Sequence, residues 1–213
     1  MIEDSKLPGN DVTILLRISR LIDALNEFVG KWVAWLVLLA VLISAVNAVI
    51  RKSFSMSSNA WLEIQWYLFA AIFLLAAGYT LLRQEHVRID VIIGRFTKRT
   101  QVKIEIFGLL VFLMPFVFVV LDLVWPIVAR AYVSGEMSSN AGGLIRWPVF
   151  AIIPVGFVLL GLQGLSELIK RFAFLQGLIE DPTKRKQQKT AEEELADEIL
   201  AQQQQRAAAG GHK

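Results

Sequence analysis

The sequence predicts an all-α membrane protein: four transmembrane helices with an N-terminal amphipathic interfacial helix, both termini cytoplasmic. Three observations carry that reading. Of 213 residues, 55% are hydrophobic, and the mean hydropathy is +0.52, an apolar share beyond what a soluble domain of this length buries. Four long apolar stretches recur, at 32–50, 61–82, 104–124 and 148–169. As helices rising about 1.5 Å per residue, each comes within reach of a hydrocarbon core of about 30 Å. The third observation is charge. Arg17, Arg20 and Lys31, then Arg83, Arg88, Arg95, Lys98, Arg99 and Lys103, then Lys170, Arg171, Lys184, Arg185, Lys186 and Lys189 flank the spans on one side, fifteen in all, against Arg51, Lys52, Arg130 and Arg146 on the other. The side with the excess is the cytoplasmic one.

Residues 1–31 are read as the cytoplasmic N-terminus. Met1–Asn10 carries Glu3 and Asp4 with no apolar run beside a basic start, so it does not read as a cleaved signal, and the first span is expected to act as its own insertion signal. From Asp11 to Lys31, Leu15, Ile18, Ile22, Leu25 and Val29 recur every three or four residues, while Arg17, Arg20, Asp23, Glu27 and Lys31 take other faces. This is the pattern of an amphipathic helix lying along the interface; an extended start of the first span fits the same residues.

The membrane domain covers 32–169. Trp32–Ile50 holds eleven Val, Leu and Ile and no charge. These favour insertion by about 3–7 kcal/mol, which leaves Asn47 tolerable. Ala40, Ser44 and Ala48 repeat at four-residue spacing and allow the close approach of another helix, though such stripes also arise by chance. A short Ser-rich loop follows, then 61–82 with Glu63 near its outer end, then the basic hinge. In 104–124, Pro115 removes a backbone donor and is expected to kink the helix. The loop Val133–Trp147 has Gly135, Gly142, Gly143 and Asn140 for tight turns, with Arg146 and Trp147 as a charge and an amphipathic ring; a plain surface loop and a docking surface both fit. In 148–169, Pro148 suits a first turn and Pro154 lies inside, while Gly156, Gly161 and Gly164 thin the helix for a partner. Residues 170–213 form a polar cytoplasmic tail, in which Thr190 and Glu193 read as a capping box for a helix over Ala191–Ala209.

The spans hold three carboxylates, Glu63, Asp122 and Glu167. All are expected within a turn or two of a surface, where side chains reach water, leaving no charge at the midplane. The tryptophans agree, with Trp32 and Trp35 at the inner belt and Trp61, Trp66, Trp125 and Trp147 at the outer one. Cysteine is absent, and the only histidines are His86 and His212. That excludes axial haem ligation between spans and a zinc site, so no catalytic residue, cofactor or metal is expected, and no nucleic-acid partner.

Glu63 near the start of a span, a span ending in Leu82-Arg83, then His86-Val87-Arg88-Ile89-Asp90, and later Ser138-Ser139-Asn140-Ala141-Gly142-Gly143-Leu144-Ile145-Arg146-Trp147-Pro148 occur in that order. Together they resemble the small membrane subunit of the tripartite ATP-independent periplasmic (TRAP) transporters, over about Phe28 to Lys170. The resemblance implies a scaffold subunit in the bacterial inner membrane, for sodium-coupled uptake of an organic acid, commonly a carboxylate. Its implied partners are a large TRAP membrane subunit and a periplasmic substrate-binding protein, beside the lipid bilayer. Two other functions are weighed: a small self-assembling channel or transporter, for which Asn47 and Ser44 are a thin polar stripe, and a membrane anchor of a respiratory complex, which the histidine count disfavours. His86, Arg88 and Asp90 serve either as an interfacial anchor or to fix the turn against a partner. The large subunit is expected on spans one and two, with Ala40, Ser44 and Ala48 along the contact, Glu63 and Trp66 at its outer end and His86 with Arg88 at its inner end.

Overall fold

The computed structural model describes residues 10–54, 58–84 and 96–179. His86, Arg88 and Asp90, and the capping box at Thr190, lie outside the described residues. Four long helices make up the described chain: α1 (Asn10–Phe54), α2 (Asn59–Arg83), α3 (Lys98–Ser134) and α4 (Trp147–Leu175). All four are long and apolar enough to cross a membrane. The described residues to Leu178 form one compact unit.

The expected interfacial helix and first span are one element. α1 continues through Lys31 and Trp32 without a break, over 45 residues, about 67 Å of rod against a hydrocarbon core of about 30 Å. Its inward face is marked by small and polar residues. Ser19, Asn26, Val33 and Ala40 are buried and Asn47 is half-buried, at strict seven-residue spacing, and Ile22, Val29, Leu36, Ile43 and Ile50 interleave as buried or half-buried residues at the same period. Two positions in every seven form a coiled-coil type of seam. Leu15, Ile18 and Leu25, which the amphipathic reading turned toward the membrane interface, are exposed. The reason is the solvent. Where the surroundings are hydrocarbon, Leu and Ile face outward freely and the small and polar residues are the ones that pack.

α4 is the centre of the unit. Its glycines admit neighbours from the same chain rather than a foreign helix. A Cβ at Gly156 would fall 2.7 Å from the Leu74 carbonyl oxygen of α2, one at Gly161 3.0 Å from Val117 Cγ1 of α3, and one at Gly164 2.8 Å from Leu113 and Met114. These contacts set α4 parallel to α2 and antiparallel to α3. α1 packs on α2 and α4, with Gly30 closely approached by the Tyr79 ring. α3 rests chiefly on α4, on the side away from α1 and α2. The unit is thus a three-helix cluster with a fourth helix attached along one edge.

α3 is longer than the expected span, because the hinge residues Lys98–Lys103 already belong to it and it runs on to Ser134. Pro115 does not break it. The turn before it, Leu109–Leu113, is π-helical, and α-helix resumes at Met114. Proline has no N–H to donate and its ring crowds the carbonyl four residues back, and widening the preceding turn relieves both without ending the helix.

Candidate functional site

Two polar constellations stand at opposite ends of the unit. At the loop end, Glu63 of α2 is 5% exposed. Its Oε1 accepts hydrogen bonds from Ser138 Oγ and from Asn140 Nδ2 (2.8 Å), and its Oε2 accepts one from the Leu144 backbone N–H (2.6 Å). The loop is thereby drawn onto α2. The Tyr67 hydroxyl donates to the Ile145 carbonyl (3.0 Å), Asn59 Nδ2 donates to the Ala141 carbonyl (3.0 Å), and Met137 and Ile145 form an antiparallel bridge. Gly142 takes φ +70, and a Cβ at Gly143 would lie 2.5 Å from that of Ser138 and 2.9 Å from Glu63 Oε1. The loop therefore closes only with glycine there. Arg146 pairs with Glu136 (2.7 Å), and Trp147 meets Tyr132 edge-on at 5.4 Å.

Glu63, expected at the outer end of a contact with the large subunit, finds its hydrogen-bond donors in Ser138, Asn140 and Leu144 of its own loop. Ala40 is likewise taken up inside the unit at 4% exposure, whereas Ser44, Ala48 and Trp66 remain exposed. The four-residue stripe drifts off the seam because the buried period of α1 is 3.5, not 4.

At the opposite, basic end, α1, α3 and α4 share a buried network. Ser19 and Ser166 hydroxyls meet at 2.7 Å, Asn26 Nδ2 donates to Gln163 Oε1 (3.0 Å), and Gln163 Nε2 donates to Asp23 Oδ1 (2.9 Å) and Glu167 Oε1 (3.2 Å). Lys170 bridges Asp23 (3.0 Å) and Glu167 (2.5 Å), and Arg171 joins Glu167 to Glu105 of α3 (2.8 Å). Glu167, expected to reach water, is 1% exposed. Beside this network Arg83 pairs with Glu27 and lies over the Tyr79 ring at 5.2 Å. Two buried atoms have no partner here, Asn26 Oδ1 and Arg83 Nε. Each ion pair in the network joins opposite charges and polar side chains fill the gaps, which makes it a weld between helices. Among the described residues there is no cluster of His, Cys, Asp or Glu that could hold a metal ion. Sequence reasoning missed the network, although Ser19 with Asn26 and Gln163 with Ser166 and Glu167 are polar residues recurring at helical spacing.

The remaining carboxylate, Asp122, was expected near the outer surface and is not there. It lies twelve residues from the Ser134 end of α3, about 18 Å along the axis. The antiparallel pairing of Val117 with Gly161 brings it level with Gly156, whose own neighbour is Leu74, within about 4 Å of the middle of the apolar stretch of α2. The same register brings Trp125 level with about residue 153 of α4.

Four membrane-length helices, welded at both ends by their own polar groups, define a multi-pass membrane protein. Residues 40–174 match the family of the DctQ component of tripartite ATP-independent periplasmic transporters, and the chain belongs to that family. It is a family of transporter components that work with a large TRAP membrane subunit and a substrate-binding protein. No curated protein and no solved structure matches the chain.

Proposed function

We propose that the chain is the non-moving scaffold subunit of a sodium-coupled TRAP transporter for an organic acid, set in a bacterial inner membrane with both termini cytoplasmic. The large subunit carries substrate and sodium, and the periplasmic binding protein delivers the substrate. The observation that supports the scaffold role is the pair of welds. A protein that moves a solute by itself needs broken helices or polar groups around a central site, whereas the network from Asp23 to Arg171 ties three helices to each other at one end and Glu63 closes the loop at the other. The fifteen to four distribution of Lys and Arg supports the orientation.

Reconstitution tests this. The purified chain in liposomes carrying a sodium gradient takes up no organic acid, and uptake starts when the large subunit is incorporated and the binding protein supplied. Sodium-driven uptake by this chain alone would overturn the scaffold role.

A further inference from the structure

We propose that the outward face of α3 around Asp122 is where the large TRAP membrane subunit docks, through a membrane helix that presents a basic side chain at mid-depth. The proposal rests on the functional reading above for the existence of that subunit, and on this chain for the face.

Among the described carboxylates of the spans, Asp122 differs from the rest. Asp23, Glu27, Glu63, Glu105 and Glu167 all have hydrogen-bond or ionic partners inside the unit. Asp122 has none among the described residues, and it is exposed. The nearest cation along the helix is Arg130, eight residues on, which donates from Nε to the Pro126 carbonyl at 3.3 Å. An ionisable group at the centre of the hydrocarbon costs several kcal/mol, and such residues almost always face protein or water rather than lipid. The described residues supply neither on this side, because α3 rests chiefly on α4 and its buried residues, Val102, Ile106, Val117 and Ala131, lie on other faces.

A second observation points the same way. Around Asp122 the exposed face carries Phe118 (72% exposed) and Trp125 (68%). Indole side chains collect at the headgroup level or in protein contacts, and Trp125 sits three residues beyond Asp122 on the same exposed face. A carboxylate flanked by two large exposed aromatic side chains is the arrangement of a helix-packing face with one charged anchor. Its complement is a helix with a lysine or arginine at the same depth, because a cation alone both neutralises Asp122 and fills its hydrogen-bonding capacity in an apolar setting. Ser44 and Ala48 on α1 lack this feature.

The experiment uses the assembled transporter in membranes. A photo-crosslinking residue is placed at Phe118 or, for comparison, at Val41, which is 58% exposed on α1. The complex is also purified with Asp122→Leu, Asp122→Asn and Asp122→Glu. Crosslinks to the large subunit form from position 118. Association weakens about 100-fold or more for Asp122→Leu, which strands the facing cation, less for Asp122→Asn and least for Asp122→Glu. A heat-denaturation profile of the isolated chain that is unchanged by Asp122→Leu separates lost docking from lost folding. If the wild-type chain retains the large subunit but position 118 captures only lipid or a second copy of this chain, or if only Val41 captures the large subunit, the face is misassigned while the transporter reading stands. If the wild-type chain retains no large subunit, the shared premise fails and this assignment goes with it.

Discussion

Glu63 shows how one side chain can fold a loop. Three donors converge on its carboxylate, and two of them, Asn140 Nδ2 and the Leu144 N–H, belong to a turn that Gly142 and Gly143 make possible. Glu63→Ala therefore leaves α2 intact and releases the loop. Hydrogen exchange should show the Leu144 amide exchanging faster in the variant, with the amides of mid-α2 unchanged; equal protection of Leu144 would mean that the loop holds itself. Glu167 is a different case, since it faces both Lys170 and Arg171 at 1% exposure. Removing one member of a buried pair strands the others, at a cost of about 3–5 kcal/mol, so Glu167→Ala should lower the unfolding midpoint in mild detergent far more than Asp122→Leu does.

At the scale of the helix, α1 and α3 differ most from their sequence-based outlines. Hydropathy located the four spans because Trp32–Ile50 and its counterparts are long and nearly free of charge. It left the seam of α1 unread beyond Ala40, because that side is marked also by Ser19 and Asn26, which a pattern search for Leu and Ile passes over. Ser19→Leu should accordingly destabilise by about 1–3 kcal/mol through overpacking against Ser166, whereas Leu21→Ala, at a residue 71% exposed, should change stability by less than about 0.5 kcal/mol. Thermal melts of the two variants decide it, and the reverse order would place the seam elsewhere. Glu63 and Arg146 were visible in the sequence as chemistry at a span's end. Their partners were not, because Glu63 and Ser138 are 75 residues apart and only the fold brings them together. Asp122 was misjudged because depth was counted from the hydropathy edge of its own span, when the register against Gly156 and Leu74 is what sets it.

For the whole molecule the open quantity is its direction in the membrane. The chain has no cysteine, so single substitutions report cleanly. With the termini inside, Ser139→Cys reacts with an impermeant thiol reagent in intact cells and Gln101→Cys reacts only after lysis; the opposite pattern would invert the orientation. The three-helix cluster of α1, α2 and α4 is crosslinked by hydrogen bonds and ion pairs, and α3 is joined to it along a single seam that includes Val117, Leu113, Met114 and the Glu105–Arg171 ion pair.

That single seam has a consequence for supply in the cell. The element with the fewest neighbours opens at the lowest free energy, and here it also carries the charge that lipid tolerates least. A copy made in excess of its partner would spend part of its time with α3 detached, in a form open to membrane proteases. With the large subunit docked on that face as proposed above, its abundance would be capped by the number of large subunits rather than by its own rate of synthesis, so the ratio of the two would be set by turnover even where their production is unequal.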